Sequence, residues 1–225
     1  MKRLKLLPLL FVPTVALAGL LDAISSTDAT AGLRDTLLQG ATAAVGTLGA
    51  KDGFLANPSV KIPLPSALKR AEPMLRAMGK GPELDELSVA INRAAESAVA
   101  EAKPLLTDAV KQMTVQDAKG ILTGGDDSVT QYFRSKTMQP LTERFLPVVS
   151  KATARVGLAA KYNQLAGQGA AFGLIKQEDA SVEQYVTRSA LDALYKSIGE
   201  QERAIRANPA QAATSAARKV FGALH

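Results

Sequence analysis

An all-α domain is the fold this sequence predicts, and three observations carry the prediction. Apolar residues recur with a period near 3.6 along most of the chain. No run alternates in the manner of a half-buried strand. Apolar residues make up 47% of the 225, ample for a helical core. The expected architecture is one domain over 19–225, a bundle of about seven or eight helices, several bent at proline, with an extended Pro-rich strap at 57–65.

Residues 1–18 read as a signal peptide. Lys2, Arg3 and Lys5 form a positive leader, Leu6 to Val15 a short apolar run, and Ala16-Leu17-Ala18 a small-x-small cleavage site ahead of Gly19. Pro13 breaks the apolar helix where a peptidase needs extended chain. The run is shorter than the ~20 residues a span requires, so a retained membrane anchor is the weaker reading. Cleavage removes three positive charges and no negative ones, taking the formal charge from +6 to +3.

A first helix is expected over 28–48, with Leu33, Leu37, Leu38, Ala41, Ala44, Val45 and Leu48 inward and Gly40 and Gly46 permitting close packing. Lys51-Asp52-Gly53-Phe54 reads as a turn. Pro58, Pro63 and Pro65 force extended chain before them, so Val60, Ile62 and Leu64 share one side of the strap. A helix over 66–78 ends at Gly79 to Gly81, and a long stripe runs from Leu84 to Met113. Thr114-x-x-Asp117 opens a short helix through Leu122, and Gly124-Gly125 ends it. Asp126 or Asp127 caps the next stripe, Val129 to Ala152. The glycines at 157, 167, 169 and 173 make 157–180 read as a mobile loop around a short helix. Ser181-x-x-Gln184 opens a strong helix, and Asn208-Pro209-x-Gln211 a last one ending at Gly222. Pro73, Pro104, Pro140 and Pro147 lie in or beside stripes, where each either bends a helix or separates two.

Several function classes are excluded early. The chain has no cysteine and one histidine, His225, so neither a disulfide framework, a Cys/His zinc site nor a His-based triad is available. Basic residues are scattered among acidic ones; the densest group is Lys69, Arg70, Arg76 and Lys80, without interleaved aromatics, so nucleic acid is not an expected partner. No cofactor loop or metal-ligand spacing is present. What remains is a polar group on an alanine-rich helix. Arg93 and Glu96 stand three apart and pair, with Asn92 beside the inward stripe. They either hold a ligand through a guanidinium fork, an amide and a carboxylate, or form an ordinary surface pair. Tyr132 and Tyr185 are core rings or ligand contacts, with Thr130 and Thr187 two residues away.

The runs Lys51-Asp52-Gly53-Phe54, Asn57-Pro58 and Lys61-Ile62-Pro63-Leu64-Pro65 resemble the signature of a bacterial secreted family, domain of unknown function 4197. Asn92-Arg93-Ala94-Ala95-Glu96, Asp117-Ala118, Ile121-Leu122 and Thr130-x-Tyr132-Phe133 fit as well. Further on, Tyr185-Val186-Thr187, Ala190-Leu191-Asp192, Ile205-Arg206-x-Asn208-Pro209 and Val220-Phe221-Gly222 also match. The resemblance implies an exported, mostly helical single domain and brings no activity. Some relatives resemble lipoproteins with a cysteine after the signal; Gly19 stands there in this chain. It also implies that Asn92, Arg93, Glu96, Thr130, Tyr132 and Tyr185 act as one binding cluster.

The functional expectation is a non-catalytic binding module of the periplasm or cell envelope, exported with cleavage after Ala18. Its partner is an envelope protein or ligand, with no membrane span after cleavage. Two alternatives stand beside it. One is a glycan hydrolase drawing a carboxylate pair from Glu96, Glu101, Asp108, Asp117 and Glu202. The other is a carrier enclosing a small apolar ligand in a cavity of several hundred Å3.

Overall fold

The computed structural model describes residues 26–125, 127–172, 176, 179–208, 210 and 218. The proposed signal peptide and most of the expected last helix, 209–222, lie outside them. Among the described residues eight helices are found: α1 (Ser26–Leu48), α2 (Ser66–Ala77), α3 (Gly81–Ala100), α4 (Lys103–Lys111), α5 (Val115–Thr123), α6 (Ser128–Thr153), α7 (Gly157–Ala171) and α8 (Val182–Ala207). The described chain is all-α, and its helices pack around one hydrophobic cluster. Among the described residues no helix is long and apolar enough to cross a membrane.

The longest helices, α6 and α8, pack most extensively against each other, and α3 and α1 close the core around them. Leu33, Leu84, Leu87, Ile91, Phe133, Leu141, Phe145, Val186 and Leu194 are fully or almost fully buried. The peripheral helices α2 and α7 contribute less: Leu68 is the buried apolar residue of α2, while Met74 and Met78 point outward.

Cap chemistry explains where two helices start. Thr114 Oγ1 accepts from the Asp117 N–H at 3.1 Å, and Asp117 Oδ2 accepts from the Thr114 N–H at 2.9 Å, a reciprocal box that opens α5. Ser181 Oγ accepts from the Gln184 N–H at 3.1 Å and opens α8. Of the two caps expected for α6, Asp126 lies outside the described residues. Asp127 occupies the cap position but its side chain makes no cap bond; Oδ2 accepts instead from Gln131 Nε2 at 2.7 Å.

Other expectations need correction. The stripe from Leu84 to Met113 is two helices, because the chain tightens at Glu101 and Ala102 through bonds to the Ala98 and Val99 carbonyls. Pro104 then sits in the first turn of α4, where its missing N–H costs little. The break also turns the buried face, so Leu106 is buried where Leu105 only packs against the rim. Pro73, Pro140 and Pro147 do lie inside continuous helices. Residues 157–171 form a regular helix, held by buried Leu158, Ala159, Tyr162 and Ala166 despite their glycine neighbours. Close backbone approach falls on Gly49, where an added Cβ would stand 3.1 Å from the Ala100 nitrogen, and not on Gly46, which has open space.

The strap is extended over 61–65, with turns before it at 58–60. Ile62 is buried, and Val60 and Leu64 pack beside it on the core, the alternation of an extended chain.

Candidate functional site

The segment from Asp52 to Pro65 makes no helix or sheet of its own; turn bonds satisfy the N–H groups of Gly53, Asn57, Val60 and Lys61, and those of Phe54, Leu55 and Ile62 need other partners. Helix α3 supplies them. Asn92, fully buried, meets Ile62 twice: Oδ1 accepts from the Ile62 N–H at 2.9 Å and Nδ2 donates to the Ile62 carbonyl at 3.0 Å. Its second amide proton goes to the Ser88 carbonyl at 2.9 Å. One turn on, Glu96 Oε1 accepts from the Phe54 and Leu55 N–H groups, both at 3.1 Å. Glu96 Oε2 takes an Arg93 N–H at 2.7 Å, and Arg93 reaches on to Asp52 at 2.8 Å. Asp52 holds a left-handed backbone, φ 69°, a conformation that a short polar side chain tolerates better than most. From α8, the Tyr185 hydroxyl donates to the Pro63 carbonyl at 3.1 Å.

Four of the six expected site residues thus hold the 52–63 segment, Asn92 and Tyr185 at the strap and Arg93 and Glu96 at the turn before it, and these side chains are bonded within the protein. The other two lie elsewhere. The Tyr132 hydroxyl donates to the Ala109 carbonyl at 2.7 Å, and burial, with Asp117 adding, pushes the phenol up to about 12. Thr130 faces α8: a Cβ on Gly199 would stand 2.7 Å from its Oγ1, which has no hydrogen-bond partner among the described residues. The expected single cluster is thus three separate arrangements.

Burial works to raise the Glu96 pKa. The Leu55 N–H, the Arg93 guanidinium and the Phe54 N–H together outweigh it and hold the carboxyl below its ordinary range. A carboxylate depressed by folding adds stability above its unfolded pKa and loses it as pH falls through the folded value. Glu96→Gln keeps an acceptor for the two N–H groups and loses the charge. It is expected to lower stability at neutral pH by about 1–2 kcal/mol. Urea unfolding at stepped pH checks this: the gap to the parent protein should close as the medium is acidified below the ordinary carboxylate pKa.

The carboxylates considered for hydrolysis are each engaged. Glu101 pairs with Arg144 at 3.0 Å, Asp108 with Lys111 at 3.8 Å, Asp117 closes the α5 cap, and buried Glu202 pairs with Arg206 at 2.8 Å. Among the described residues no group of three His, Cys, Asp or Glu could hold a metal ion.

A groove of about 540 Å3 lies between α6 and α8. Met138, Leu146 and Leu191 form its apolar surface, with Thr142, Gln184 and Thr187 between them and Arg134, Arg188 and Asp192 at its edges. Arg134 bonds Asp192 at 3.1 Å and lies 4.9 Å from the centre of the Tyr195 ring. Arg188 bonds Asp179 at 2.6 Å and lies over Tyr185 at 5.8 Å. Two smaller spaces are a cleft of about 210 Å3 beside Tyr132, Lys136 and Asp108 and a narrow recess of about 10 Å3 beside Glu202. Each of the three carries one carboxylate in its lining, and the smallest is far too small for a carried ligand. Sequence reasoning missed the groove. Its signal was a second stripe on α6, Met138, Thr142 and Leu146 at four-residue steps, offset from the core stripe.

No curated protein and no solved structure matches the chain. One family model does, over residues 23–222, which span the strap, the helix that grips it and both walls of the groove. The chain belongs to the family described as protein of unknown function DUF4197.

Proposed function

We propose that this protein is a non-catalytic binding module of the bacterial periplasm or cell envelope, and that it holds the apolar part of an envelope component in the α6–α8 groove. The observation that carries the reading is the groove's make-up. It has the volume of an ordinary small-molecule site, an apolar surface offered mainly by Met138 and Leu146 with Leu191 buried beneath, and polar and charged side chains among and around them. Asn92, Glu96 and Tyr185 serve this reading as scaffold, fastening the strap to α3 and α8. Export is supported by the leader pattern of residues 1–18; the N-terminal sequence of the protein from a periplasmic fraction should begin at Gly19, and a start at Met1 would overturn it.

Nile red, an uncharged dye that fluoresces in apolar surroundings, tests the groove. Leu146 is 37% exposed, so Leu146→Gln leaves the buried core intact while placing an amide on the groove surface. The expected outcome is saturable binding to the parent protein, weakened about tenfold by the substitution. Equal binding by both proteins would remove the groove from the proposal.

A further inference from the structure

We infer that the groove's ligand is a single-chain amphiphile with a carboxylate head, its alkyl body lying along Met138, Leu146 and Leu191 and its head at Arg134. This rests on the binding reading above and adds the chemical class. Two guanidinium groups line the groove against one carboxylate, Asp192. They differ in how firmly they are held. Arg188 is tied to Asp179 at 2.6 Å, with side-chain exposures of 35% and 27%. Arg134 reaches Asp192 through one nitrogen at 3.1 Å, with side-chain exposures of 46% and 54%, a pair that solvent screens and that contributes little. A guanidinium has five N–H donors arranged to take a carboxylate through two at once. A ligand carboxylate can therefore engage Arg134 through donors that Asp192 does not use. The Arg134 guanidinium carbon lies over the Tyr195 ring, 4.9 Å from its centre, a cation–π contact that helps hold the guanidinium at the groove. Arg188 adds positive charge to the groove lining without having to leave Asp179. A single alkyl chain suits a groove of about 540 Å3, within the usual range for small-molecule sites.

Displacement of Nile red by three ten-carbon amphiphiles below their micelle concentrations tests the assignment: decanoate, decanol and decyltrimethylammonium. Decanoate is expected to bind at least tenfold more tightly than the other two. Arg134→Gln should bring decanoate to the level of decanol and leave decanol itself unchanged, which a merely structural role for Arg134 would not produce. Equal affinity for all three would overturn the carboxylate head while leaving an apolar groove. Failure of all three, together with Nile red, would overturn the binding reading as well. A decanoate preference that survives Arg134→Gln would overturn the assigned residue. Sedimentation completes the test: a dimer that Leu146→Gln separates would give the groove to a second copy of the chain and sink the ligand.

Discussion

Asn92→Ala is expected to lower the unfolding free energy by about 3–5 kcal/mol, the larger part from two backbone groups and not from Asn92 itself. Ile62 is 2% exposed, and its N–H and carbonyl both find their partner in the Asn92 amide. Without that amide both are left buried and unpaired, at about 1–3 kcal/mol each. The truncated side chain also leaves a void under the strap, because Asn92 is fully buried. A urea titration gives the total. Amide hydrogen exchange at Ile62 separates the contributions: if the strap lifts locally, that amide loses protection beyond the global change. An unchanged unfolding midpoint would show that the strap is held by its apolar contacts alone.

Gly53→Ala is expected to be comparably damaging, by about 2–4 kcal/mol, for a different reason. A Cβ on Gly53 would stand 2.4 Å from the Thr47 carbonyl oxygen and 2.5 Å from that of Leu48. Both are backbone atoms at the end of α1, so no side chain can rotate away. The chain has to shift, and Phe54, fully buried next door, shifts with it, along with the N–H groups that Glu96 holds. Gly46→Ala is the internal comparison. It lies inside α1 with nothing within 4 Å of the added carbon, and is expected to raise stability by about 0.5–1 kcal/mol. Thermal unfolding followed by helical circular dichroism should move in opposite directions for the two alanines. Equal shifts would mean that the turn relaxes at no cost.

What could be read from the sequence was local. Thr114-x-x-Asp117 and Ser181-x-x-Gln184 marked helix starts because a cap is closed by residues three apart. The inward face of α1 followed from period alone, with Leu33, Leu37, Ala41, Ala44 and Leu48 all buried. The α7 helix was hidden because its glycines lower helix propensity while its stability comes from Tyr162 and Ala166 packing on neighbours far along the chain. The same distinction divides the polar group. The Arg93 bond to Glu96 spans three residues and was legible. The partners that decide what those residues do, Asp52, Phe54 and Ile62, lie 30 to 42 positions away and leave no periodic mark. The groove escaped notice for the same reason, since its walls come from α6 and α8 and only the fold sets them face to face.

The helices grip the strap and the turn before it by the main chain, through the Ile62 N–H and carbonyl, the Phe54 and Leu55 N–H groups, and the Pro63 carbonyl. Every residue type presents the same carbonyl, and every type except proline the same N–H. The outward letters of the belt, such as Lys61, are therefore free to drift, while the letters that read it, Asn92 and Glu96, are not. A saturation library across positions 57–65 and 92–96 should divide accordingly: broad tolerance at exposed belt sites, and, beside the buried Ala94 and Ala95, narrow tolerance at two polar positions of a helix, Asn92 and Glu96.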